Sequence, residues 1–65
     1  MEMYDENTKT TYYYNLTPDN TLEVFENNCL MATISNVKKR NALNMFLEIV
    51  FEMRGVELDY NGGKK

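Results

Sequence analysis

The sequence predicts an α+β fold: a three-stranded antiparallel meander followed by one long helix, with an optional short strand at the C-terminal end. Three observations carry this. Residues 10–34 hold three runs rich in β-branched and aromatic side chains, separated by two turn signals. Residues 37–54 place apolar side chains at helical spacing between candidate caps. The length, 65 residues, leaves room for one small domain over 1–65.

Taken in order, residues 1–9 are polar and acidic with no period, and are expected to form a flexible acidic arm. Residues 10–16 (TTYYYNL) read as a strand. Thr17-Pro18-Asp19-Asn20 suits a type I turn, because Pro pre-sets the second position and Asp tolerates the third. Residues 21–26 read as the second strand and 29–34 as the third, joined by Asn27-Asn28, which tolerates the positive φ of a two-residue hairpin loop. Ser35 or Asn36 is a candidate cap for the helix, and Gly55 stands where a helix ends in the left-handed conformation. Beyond it, 56–60 alternates apolar and acidic side chains, the optional fourth strand, and 61–65 is a flexible tail.

Turn lengths set the expected register. A two-residue loop at 27–28 puts Phe25 opposite Leu30, Val24 opposite Met31 and Glu23 opposite Ala32. A four-residue loop at 17–20 puts Leu16 opposite Thr21, Tyr14 opposite Glu23 and Tyr12 opposite Phe25. The helix is then expected over Tyr12, Tyr14, Leu16, Phe25, Leu30, Ala32 and Ile34. Glu23 falls on that face and needs a hydroxyl or a basic partner. The opposite face, with Tyr13, Leu22, Val24, Cys29 and Met31, is too apolar for an ordinary solvated sheet surface.

The helix is over-supplied with apolar residues as well. Its apolar arc spans about 240°, whereas covering one sheet takes a stripe somewhat above about 100°. Met45, Leu47 and Phe51 lie towards the flanks of that arc. With Tyr13, Val24 and Met31 from the second sheet face, they make a candidate interface, and a second copy of the chain is its expected occupant. Charge points the same way. Lys38, Lys39 and Arg40 crowd the positive end of the helix while Glu48 and Glu52 lie towards the negative end. Antiparallel pairing of two copies sets each basic end beside acids of the other.

Composition removes most chemistry. The chain has no His, no Trp and one Cys, so it has no His base, no Cys–His pair, no Ser–His–Asp triad and no internal disulfide. No metal site and no cofactor are expected. Cys29 reads as a small hydrophobe in or near the core, and Met31, Met45 and Met53 as core or adaptable interface residues. Glu57 and Asp59 alternate onto one face as a solvated edge, too few oxygens for calcium.

The remaining class is binding. Lys38, Lys39 and Arg40 form a candidate anion-binding patch, and with the tyrosines they suggest a dimeric nucleic-acid-binding regulator as an alternative. Against it, the net charge is −3, and in the first 35 residues Glu2, Asp5, Glu6, Asp19, Glu23 and Glu26 face Lys9 alone. A small-molecule sponge with its ligand at the dimer seam near Tyr13 and Met31 is a further alternative. The leading expectation is a non-enzymatic, homodimeric protein–protein interaction module. Residues with AT-rich codons (Phe, Tyr, Met, Ile, Asn, Lys) far outnumber Gly, Ala, Arg and Pro, which suggests a complete small reading frame of bacterial or phage origin. In a phage or mobile element such a module would inhibit a host defence or nucleic-acid enzyme. The acidic start lacks a signal peptide and no run approaches the roughly 20 apolar residues of a membrane span, so the cytoplasm is the expected compartment.

Overall fold

The computed structural model describes residues 2–58. Its elements are β1 (Glu2–Asp5), β2 (Thr10–Leu16), β3 (Leu22–Glu26), β4 (Cys29–Ile34) and α1 (Lys39–Arg54). The four strands make one antiparallel sheet in the order β1-β2-β3-β4, and α1 packs on β2 and β3. The fold is therefore α+β, with four strands where three were expected.

The added strand replaces the expected acidic arm. Glu2, Met3, Tyr4 and Asp5 pair with Tyr13, Tyr12, Thr11 and Thr10. An edge strand needs little apolar content, and here Met3 alone turns in to pack against the core. The connecting turn is locally closed: Asp5 Oδ2 accepts from the Thr8 backbone N–H at 3.1 Å and from its hydroxyl at 2.5 Å, and Lys9 takes φ 57°. Short polar runs carry too few period repeats to reveal such a strand.

The β2–β3 connection is one residue longer than the turn signal implies. Thr17 O accepts from Asn20 N at 3.0 Å, as a type I turn requires, but Thr17 N also bonds Thr21 O at 2.9 Å with Asn20 at φ 67°. The register becomes Leu16 opposite Leu22, Tyr14 opposite Val24 and Tyr12 opposite Glu26. A one-residue slip turns a whole strand over. Leu22 and Val24 consequently lie buried under α1, while Phe25 and Glu23 face outward. The expected burial of Glu23 is corrected with it: its Oε1 accepts from Asn15 Nδ2 at 3.1 Å in an exposed pair.

Between β3 and β4 the Asn27-Asn28 loop forms as expected, at φ 49° and 69°, with Phe25 opposite Leu30. A bulge between Val24 and Phe25 then shifts the rest, so Val24 meets Ala32 and Glu23 meets Thr33. The extra residue reverses the alternation along β4. Leu30 faces out beside Phe25, and Ala32 and Ile34 face the core.

Helix α1 starts two residues later than expected, with Lys38 at the cap position and no side-chain cap bond. Neither Ser35 nor Asn36 caps it. Asn36 is at φ 65°, and the next residue, buried Val37, donates its N–H to Asn20 O at 2.8 Å, pinning the β4–α1 connection to the 17–21 loop. At the other end Gly55 takes φ 68° and its N–H reaches Phe51 O at 2.8 Å, the expected left-handed stop. Residues 56–58 form no strand; Val56 and Leu58 pack at the margin of the core. Residues 59–60 of the optional strand and the tail 61–65 lie outside the described residues.

The core joins Tyr12, Leu22 and Val24 from the sheet to Ala42, Phe46 and Val50 from α1, with Val37 at the connection. Tyr14 leans on Phe46 with ring centroids 5.0 Å apart. Spacings of four between Ala42, Phe46 and Val50 put all three on one helical stripe, which is why α1 lies flat along the sheet.

Candidate functional site

Two surfaces stand out, on opposite sides of the molecule. The first is the solvent side of α1. Phe51 is 51% exposed and Met53 45%. Phe51 borders a shallow groove with Leu47 and Leu58 as its other apolar walls and Asn44, Glu48 and Glu57 around them. The chain turns back at Gly55 and brings Leu58 beside the helix, so the groove exists only in the folded molecule. Lys38, Lys39 and Arg40 stand exposed at one end of α1, and Glu48 and Glu52 along the other half.

The second surface is the outer face of the sheet. Tyr13, Phe25 and Leu30 lie directly opposite one another across β2, β3 and β4. The Tyr13 and Phe25 rings stack at 4.7 Å and 7°. Tyr4, on β1 beside Thr11, and Leu30 are 56% and 57% exposed. The Tyr13 hydroxyl donates to Asn28 Oδ1 at 3.3 Å, which holds the ring at the hairpin end.

The six residues expected to form one interface divide among three places. Phe51 and Leu47 border the helix groove, and Met45 is half-buried on the same helix. Tyr13 belongs to the outer sheet face. Val24 is a correction: it is fully buried under α1, because the longer 17–21 loop turned β3 over, and it offers nothing to a partner. Met31 lies at the bulge and packs towards the core, so it makes no seam with Tyr13. Cys29 is also corrected; as the first residue of an edge strand it is exposed. Tyr4, Phe25 and Leu30 join Tyr13 on this side, whereas the sequence pattern places Tyr4 in an arm and the other two under the helix.

Lys39 lines a shallow groove with Tyr14, Leu16, Pro18, Asn20 and Ala42, on the helix side of the sheet. The basic patch and the stacked Tyr13 ring therefore do not share a surface. Among the described residues no three His, Cys, Asp or Glu side chains gather as a metal-binding group, and no helix is long and apolar enough to cross a membrane.

Electrostatics at the far end of α1 are local and specific. Arg54 donates from Nε and Nη2 to the two oxygens of Glu26, and its guanidinium holds that carboxyl below the usual glutamate value. Burial, reinforced by the Glu26 charge, pushes the Tyr12 phenol up. Asp19 is held low by hydrogen bonds from the Thr17 and Thr21 side chains. None of these groups borders the helix groove or the Tyr13–Phe25 stack.

No protein-family model, curated protein or solved structure matches this chain.

Proposed function

We propose that the chain is a non-enzymatic protein–protein interaction module that pairs with a second copy of itself through the solvent side of α1. The observation that carries this reading is Phe51, a large aromatic side chain half exposed at the border of an apolar groove formed with Leu47 and Leu58. Aromatic anchors seated in such grooves dominate interface energetics. The charges favour an antiparallel arrangement, in which Lys39 and Arg40 of one copy approach Glu48 and Glu52 of the other. Exposed pairs of this kind contribute at most about 1 kcal/mol each, so they set orientation while the apolar contact sets affinity. A dimer of this form acts by occupying a surface on another protein. Inhibition of a host defence or nucleic-acid enzyme, in a phage or mobile-element setting, is the use that its size, acidity and AT-rich residue usage suit.

Light scattering tests the dimer. The expected mass is twice the 7.7 kDa of the chain, falling to the single-chain mass in Phe51→Glu with the circular dichroism spectrum unchanged. Lys39→Glu should weaken the dimer less. A folded wild type at 7.7 kDa and high micromolar concentration overturns self-association.

A further inference from the structure

We infer that the outer face of the sheet docks a basic amphipathic helix of a second protein, an inference that rests on the chain being an interaction module but not on its dimerisation. The face carries an apolar line, Tyr13–Phe25–Leu30, which the register runs straight across three strands. The face is open at both edges of the sheet, with Leu30 at the end of the line on β4 and Tyr4, opposite Thr11 on β1, each more than half exposed. The Tyr13 and Phe25 rings lie nearly parallel, so the centre of the face is flat and already ordered. Side chains held this way give up little conformational entropy when a partner lands on them.

Charge selects the chemistry of the occupant. The charged residues that the register sets on this face are Glu2, opposite Tyr13, and Glu23, two residues from Phe25 along β3. Both are acidic. The basic residues of α1 point elsewhere: Lys38, Lys39 and Arg40 open the helix on the other side of the sheet, and Arg54 is held by Glu26. A second copy laid on this face would bring the same acids together, and a polyanion would be repelled. A partner whose apolar strip is bordered by Lys or Arg matches both parts of the surface. Dimensions select its form. Four strands span about 14 Å between the first and last axes, which accommodates a single helix of about 10–12 Å diameter. The partner helix covers the outer face as α1 covers the inner one.

The test titrates a synthetic peptide into the isotopically labelled full chain and follows backbone amide shifts. The peptide has about 18 residues, roughly 27 Å as a helix, with Leu along one face and Lys elsewhere; its control carries Glu at every Lys position. The expected result is a shift pattern centred on Tyr4, Tyr13, Phe25 and Leu30, with the Lys peptide bound at least about tenfold tighter than the Glu peptide at low salt. Leu30→Ser, at an exposed position that leaves the core intact, should weaken binding several-fold. Glu2→Lys combined with Glu23→Lys should shrink the preference for the Lys peptide while the shifts stay on the same residues. Equal binding of the two peptides, shifts centred on α1, or a mass that halves in Leu30→Ser and so assigns the face to a second copy, each overturns the inference. A dimer that survives while ignoring the peptide overturns only this inference, whereas a folded monomer that binds it overturns only the dimer.

Discussion

Arg54 closes on Glu26 from the last turn of α1, its Nε 2.8 Å from Oε2 and its Nη2 2.9 Å from Oε1. The two parallel bonds fasten the C-terminal end of the helix to the end of β3, residues 28 positions apart in sequence. Tyr12, buried beneath, directs its hydroxyl at the same carboxylate from 3.4 Å. This clasp is where the helix and the sheet are joined by polar contacts as well as by the core.

Acid should loosen it. A carboxyl whose pKa falls on folding stabilises the folded state above its unfolded value, and that contribution is lost as the pH drops through the folded value. Glu26 is such a group, lowered from 4.5 by the Arg54 hydrogen bonds. The urea midpoint should therefore fall as pH decreases below 4.5, and Glu26→Gln should make that fall shallower. Asp19, also lowered, keeps some slope in the variant. Because the clasp is partly exposed, the midpoint at neutral pH should move modestly, and less still at high salt.

Alkali should act on Tyr12 in the opposite sense. Its phenol is raised above 10.0, chiefly by burial and then by the neighbouring carboxylate. A group that resists deprotonation in the folded state contributes its stability below the unfolded pKa and loses it as pH rises through the folded one. The denaturant midpoint should drop as the pH rises above 10.0, and Tyr12→Phe should reduce that drop. A Tyr12→Phe curve that falls as steeply as the wild type contradicts this account.

Phe46→Ala and Phe51→Ala separate the core from the surface. Phe46 is fully buried at the centre of the helix stripe, and its truncation should cost about 3–5 kcal/mol. A domain this small holds about that much in total, so the variant should be largely unfolded by circular dichroism. Phe51→Ala removes a half-exposed ring and should leave the spectrum of the chain intact. Comparable unfolding in both would place Phe51 in the core.

Local chemistry decided several features without help from the fold. Asn27-Asn28 tolerates two positive φ values in succession, so the hairpin and the Phe25–Leu30 pair follow from those residues. Gly55 at φ 68° ends the helix for the same kind of reason. The spacing of Ala42, Phe46 and Val50 defines the buried stripe, and the apolar excess around it is visible in the sequence alone. Tyr12 and Tyr14 face the helix as their alternation implies.

Tertiary structure decided which sheet residues lie on the outer face. One additional residue in the 17–21 loop and one bulge opposite Val24 are each small, and nothing in the residue types announces either. Strand side chains alternate with a period of two, so each one-residue change moves a set of side chains from one face to the other. Leu22 and Val24 went under the helix, and Phe25 and Leu30 went out to the surface. β1 likewise became a strand because β2 offered an open edge that Met3 could help close, a condition of the assembled sheet and not of residues 2–5 themselves. Composition determined that the chain carries more apolar side chains than its core takes up; the register determined which of them lie on the outer face.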